Sequence, residues 1–173
     1  RILWQGKRLF WNWVVNPELY PGLREEIRQR SEQGIRWLAY INPYFNADGE
    51  YFKIAKDNGF LVKDDRGEVL VYQVAGFQIG SVDLTNPSAW QWFKEIIIRQ
   101  NMLELGMRGW MADYAEDMPE QARFFDGRTG TELHNLYPQL WAQLNREAVE
   151  EADLHDEVLI FHRSGYSRAT RSM

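Results

Sequence analysis

Cysteine is absent from all 173 residues, which removes disulfides, thiolate nucleophiles and thiolate metal sites together. The absence fits a reducing compartment, and a cytoplasmic location is the expectation. Histidine is scarce: His134, His155 and His162 stand far apart without metal-ligand spacing, so neither a metal nor a cofactor is expected. No apolar run approaches the roughly 18 residues of a membrane span, and no basic-then-apolar leader opens the chain. Positive charge is in deficit. Lys and Arg number 20 against 25 Asp and Glu, a net charge of −5, which weighs against a nucleic-acid partner that would need a cationic face. Also missing are a glycine-rich nucleotide loop (Gly127–Arg128–Thr129–Gly130 reads as a turn) and a serine in a nucleophile-elbow setting.

What is abundant is aromatic surface, eight Trp among it, on a chain that is 45% hydrophobic and long enough for one domain. The opening RILWQGKRLFWNWVV has no clean period and reads as a twisted strand pair or an irregular loop. Leu23 and Ile27, four apart among charges, predict a short helix that Gly34 ends. The apolar run 35–41 then predicts a buried strand, the αβ unit of a parallel sheet. After Asn42–Pro43 comes an excursion over 44–86, with a short helix ending at Asn58–Gly59 and two short strands around Asp65–Arg66–Gly67. Asn86 and Pro87 start the clearest helix, whose expected stripe is Trp90, Phe93 and Ile97, widened by Ile96 and Leu103. MRGWMADY and EVLIFHRSG predict two further parallel strands. Between them lies a helix starting near Pro138, with Leu133, Leu136, Tyr137, Leu140, Leu144 and Ala148 expected inward. The acidic run from Glu150 to Glu157 reads as solvated helix end and loop.

This order is α/β and fits either a doubly wound sheet or a partial (β/α)8 barrel of about three parallel strands. The barrel gains from Asn42, Asp113 and Arg163, each at the C-terminal end of a predicted strand, where such barrels carry their chemistry. Asp113 leaves an apolar strand for the aromatic loop Tyr114–Ala115–Glu116–Asp117, a setting suited to a nucleophile beside an oxocarbenium-like centre. A strand-end Asp capping the next turn would look the same. Glu116 can orient that site, or with Asp117 be part of a solvated loop. Arg163 can bind substrate hydroxyls or pair with Asp113. Lys7 and Arg8 among Trp4, Trp11 and Trp13 can hold an anion and stack on a sugar, or lie as stems on an aromatic surface with their charges in water.

Taken together, GKRLFWNW (6–13), LAYINPY (38–44), VDLTNP (82–87), GWMADYAED (109–117) and FHRSGYSRATRS (161–172) resemble family 31 glycoside hydrolases, more narrowly the sulfoquinovosidases among them. The resemblance spans essentially the whole chain. It implies a central fragment (1–173) of a (β/α)8 catalytic domain, with 44–86 as an insert after a barrel strand. It further implies a retaining hydrolase of α-sulfoquinovosides in which Asp113 is the nucleophile and Glu116 supports the site. Arg8 and Trp11 would bind the sulfonate and Arg163 the hydroxyls near the anomeric centre. One departure stands out: Ala115 occupies a position that is often glycine in those enzymes. The family's general acid lies in a W-x-G-D string just beyond the last matched motif, and this chain ends at Met173 before one. The expectation is therefore that the chain alone is inactive. Its partners would be an anionic sugar, the rest of its catalytic domain, and other copies through exposed sheet edges. A neutral-sugar α-glucosidase or α-xylosidase, and a non-catalytic sugar-binding or structural module, are the alternatives.

Overall fold

The computed structural model describes residues 11–165, together with the backbone of strands β1 (Trp4–Gln5) and β2 (Arg8–Leu9), which pair as an antiparallel hairpin. Helix α1 (Leu23–Glu32) buries Ile27. It stops where Gly34, at φ 81°, lets the Ile35 amide reach back to the Arg30 carbonyl. Of the apolar run 35–41 only β3 (Ala39–Ile41) pairs as a strand, and Ile35 and Leu38 stay half exposed. The partner of β3 is β7 (Gly109–Ala112), with Ala39–Ile41 paired to Trp110–Ala112.

Strands β3, β7 and β8 (Leu159–His162) form a parallel sheet in that order. Ala39 lies beside Trp110 and Ile160, Tyr40 beside Met111 and Phe161, and Ile41 beside Ala112 and His162. Side chains alternate between faces. The Trp110 face packs under helices. There the Trp110 indole donates to Asn145 Oδ1 at 2.8 Å, and the Asn145 amide donates to the Trp141 carbonyl, so the Trp110 donor and the Asn145 side chain are both satisfied. Phe93, Trp110 and Trp141 are fully buried in this layer, each contributing about 2–3 kcal/mol of transfer free energy. The opposite face carries rows. Leu38, Gly109 and Leu159 form one, Tyr40, Met111 and Phe161 the next, and Asn42, Asp113 and Arg163 continue the parity. These are the inward layers of a (β/α)8 barrel, of which the chain forms three strands with their crossover helices.

The excursion builds its own antiparallel sheet, β4 (Tyr44–Asn46), β6 (Phe77–Ser81) and β5 (Val71–Val74) in that order, with α2 (Glu50–Asp57) between β4 and β5. The expected hairpin around Asp65–Gly67 closes only a single bridge, Lys63 to Val69. The second strand read there pairs forward with β6 instead, through Ala75–Gly76 with φ 50° and 85°, the two positive values a tight right-twisting turn requires.

Asn86 caps α3 (Pro87–Trp92), accepting from the Ser88 amide at 3.0 Å, as expected. From Phe93 to Leu103 the helix continues as a π-helix. With that wider turn the buried stripe is Phe93, Ile97, Ile98, Met102 and, as expected, Leu103, while Trp90 and Ile96 are only partly covered. Lys94 also turns inward, where Glu147 and Glu151 neutralise it, so part of the acidic run is structural rather than simply solvated. A capping box between Thr129 and Glu132 opens α4 (Gly130–Leu133). In α5 (Tyr137–Glu151) the stripe is Tyr137, Trp141, Leu144, Asn145 and Ala148. Leu136 precedes the first turn and stays exposed, and Leu140 is partly buried. Among the described residues no helix is long and apolar enough to cross a membrane.

Candidate active site

The register of the parallel sheet sets Asn42, Asp113 and Arg163 side by side. Each directly follows one of the aligned trio Ile41, Ala112 and His162. Backbone pairing runs one step past the strands, since the Asp113 amide donates to the Ile41 carbonyl at 2.9 Å. Asp113 is 6% exposed, and its two oxygens have different neighbours. The Tyr40 hydroxyl donates to Oδ2 at 2.6 Å. Arg163 Nε stands 3.0 Å from Oδ1 as an ion pair without hydrogen-bond alignment. Burial, then the bond to Asp113, push the Tyr40 hydroxyl far above its ordinary range, so it stays a donor. Asn42 fixes the start of the next segment by accepting from the Tyr44 amide at 3.0 Å, and its side-chain amide approaches the Tyr40 oxygen at 3.4 Å.

Arg163 also reaches Glu116, Nη2 to Oε1 at 2.5 Å, and Ser164 donates to the other Glu116 oxygen. One guanidinium thus bridges two carboxylates. It lies over the Tyr114 ring, 4.1 Å from the centroid, which gains cation–π attraction and fixes its plane. For Arg163 the cost of burial is exceeded by Asp113 and Glu116, and its guanidinium is held more firmly protonated than usual. Asp117 is pushed the other way. Burial first, then the neighbouring Glu116 charge, raise its carboxyl above the ordinary value.

Of the residues singled out by sequence, Asp113, Glu116 and Arg163 therefore meet in one cluster. Trp11 is one ring away: it is 1% exposed, packed on Tyr44, Phe77 and Tyr114, the last at 5.5 Å between centroids, and its indole N–H has no partner among the described residues. The Arg8 side chain lies outside the described residues. Sequence reasoning misses Tyr40. Its signal is present in LAYINPY, where it stands two before Asn42 and so shares its face, but a tyrosine in an apolar run reads as core. Beside the cluster, an apolar cavity of about 350 Å³ runs along β3 between Trp13, Tyr20, Trp37 and Met107. Among the described residues no three His, Asp or Glu are placed to hold a metal.

A buried carboxylate fixed by a hydroxyl donor and a cation, at the mouth of a strand-end face, can attack an electron-poor carbon or steady a developing positive charge. Comparison with known proteins gives that chemistry a setting. Residues 2–172 match the model of the glycosyl hydrolases family 31 TIM-barrel domain. The chain is 44% identical to a sulfoquinovosidase of Escherichia coli (strain K12) over 92% of its length, and 41% identical to one of Agrobacterium fabrum (strain C58 / ATCC 33970) over 94%. It superposes on a family 31 sulfoquinovosidase from E. rectale, solved with an aza-sugar inhibitor, with a TM-score of 0.88 and 39% identity over 95% of the chain. The chain spans about a quarter of the length of these relatives: 24% of each curated protein and 25% of the solved one.

Proposed function

The chain belongs to glycosyl hydrolase family 31, and from that premise we propose that it carries the nucleophile half of an α-sulfoquinovosidase. The observation that carries the reading is Asp113, at the end of β7, held between Tyr40 and Arg163. An Asp113 oxygen attacks the anomeric carbon as the bond from that carbon to the aglycone oxygen breaks, and a proton goes to the leaving oxygen. Water then attacks the same carbon and releases the carboxylate, with net retention. Glu116 is occupied by Arg163 and Ser164, which suits holding the site rather than delivering that proton. We assign the general acid to the remainder of the catalytic domain. Residues 1–173 are on this reading a piece of that domain, with 44–86 an insert after β3.

Arg8 and Trp11 supply the preference for an anionic sugar. Arg gives a planar fork for sulfonate oxygens, and the buried indole N–H of Trp11 is a donor without a partner among the described residues. The names of the two curated relatives and of the solved structure support this substrate over a neutral one.

The test uses the full-length protein. A 2-fluoro or epoxide-type α-sulfoquinovoside inactivator is expected to label Asp113, mapped by peptide mass, and Arg8→Ala is expected to lower kcat/KM at least about tenfold more for an α-sulfoquinovoside than for an α-glucoside. Residues 1–173 alone should release no 4-nitrophenol at a comparable rate, since one proton-transfer group contributes about 10²–10⁴-fold. A label elsewhere sinks the nucleophile assignment. Equal losses on both sugars sink the anionic preference.

A further inference from the structure

The turn that follows Asp113 is held in an unusual conformation by a group from a different sheet. Tyr114 and Ala115 have φ of 57° and 89°, two consecutive non-glycine residues in the left-handed region. Side chains rarely adopt it, because Cβ crowds the following carbonyl, and such residues persist only where the surroundings over-determine them. Ala115 is fully buried, so no solvent supports its backbone. Its amide donates to the Tyr44 hydroxyl oxygen at 3.3 Å. Tyr44 sits on β4 with no exposed surface. Its ring meets that of Tyr72 of β5 edge-on, 6.3 Å between centroids, and the Tyr72 hydroxyl shares a 2.5 Å contact with Ser81 of β6. Burial pushes both phenols far above their ordinary range, so each keeps its proton.

We propose that Tyr44 is a positioning residue for the proposed hydrolase: packed against Tyr72, which Ser81 holds in place, it accepts from the Ala115 amide and so holds the left-handed turn at Tyr114–Ala115 that delivers Glu116 to Arg163 beside Asp113. The inference rests on Asp113 being the nucleophile. It gives the antiparallel sheet of the 44–86 segment a role in the site, since Tyr44, Tyr72 and Ser81 come from its three strands. It also predicts why residue 115 matters: glycine adopts positive φ freely and needs no such anchor, whereas alanine does.

The experiment is a double-mutant cycle in the full-length protein with a chromogenic α-sulfoquinovoside. Tyr44→Phe removes one hydroxyl and no ring, and is expected to lower kcat about tenfold, the worth of one buried hydrogen bond. In an Ala115→Gly background the same change should cost about threefold or less. Tyr72→Phe, further from the turn, should give a smaller loss with the same dependence on residue 115, and it serves if Tyr44→Phe does not fold. Equal losses with and without Ala115→Gly, or no loss from either phenol, overturn the proposal. Thermal unfolding of the four proteins separates the two readings. If the inactivator labels a residue other than Asp113, the nucleophile assignment fails, and coupling between residues 44 and 115 in Tm still tests the anchor. If Asp113 is labelled but neither kcat nor Tm couples, the anchor fails alone.

Discussion

At Asp113 the two carboxylate oxygens have unequal neighbours, and the inequality has a kinetic consequence. On the proposed mechanism the Tyr40 hydroxyl stabilises the free Asp113 carboxylate, which would be the reactant of the first step and the leaving group of the second. A hydrogen bond to a charged group contributes roughly 1.5–3 kcal/mol. Removing it by Tyr40→Phe takes stabilisation from the ground state of glycosylation but from the product side of deglycosylation. Tyr40→Phe in the full-length protein should therefore lower kcat about tenfold while kcat/KM changes less than about threefold, with KM falling as glycosyl-enzyme accumulates. Steady-state rates and intact mass during turnover check this. Equal falls in kcat and kcat/KM without an intermediate would show that Tyr40 merely shapes the pocket. Sequence made Asp113 and Arg163 legible because charge at the end of an apolar strand stands out. Tyr40 did not stand out, since its hydroxyl matters only once strand register brings it to Asp113, 73 residues away.

Elements were legible where their cause is local. Asn86–Pro87 opened α3, Gly34 ended α1, and the three parallel strands fell inside their apolar runs. What was not legible depends on neighbours. The π-helical turn over Phe93–Leu103 shifts which side chains face α5, and no propensity encodes it, because Lys94 turns inward only where Glu147 and Glu151 await it. Gly109 is the converse case, a residue whose smallness is explained by its element. A Cβ there would come within 2.6 Å of the Leu159 carbonyl and 2.4 Å of a Leu38 methyl. Leu38 can swing, but the Leu159 carbonyl belongs to the strand that β7 pairs with. Gly109→Ala should therefore destabilise the full-length protein by about 2–3 kcal/mol, read from urea unfolding, as overpacking against fixed backbone does. A change below about 0.5 kcal/mol, the scale of an indifferent surface substitution, would mean that β8 slides freely on β7.

For the molecule as a whole, the sheet face that carries the site also leaves large apolar side chains uncovered among the described residues. Leu38, Leu159 and Phe161 are 50%, 60% and 46% exposed, and they belong to the two rows immediately below Asp113 and Arg163. In a closed barrel these rows would fill the interior, each strand supplying every second side chain. In 173 residues they face water, beside β3 and β8, which each pair on one side only among the described residues. Unpaired strand edges flanking an apolar face favour association with further copies. Residues 1–173 alone should accordingly sediment as dimers or larger species at micromolar concentration. Phe161→Lys should shift them toward monomer by placing charge in the face and on its edge strand. The same substitution should act oppositely in the full-length protein. There residue 161 would be enclosed, and an unpaired buried ammonium costs several kcal/mol, enough to abolish folding or to lower Tm by more than about 10 °C. Sedimentation of the short chain and thermal unfolding of the long one therefore form a paired measurement. A monomeric short chain, or a full-length Phe161→Lys protein with unchanged Tm, would show that this face is not a barrel interior left open.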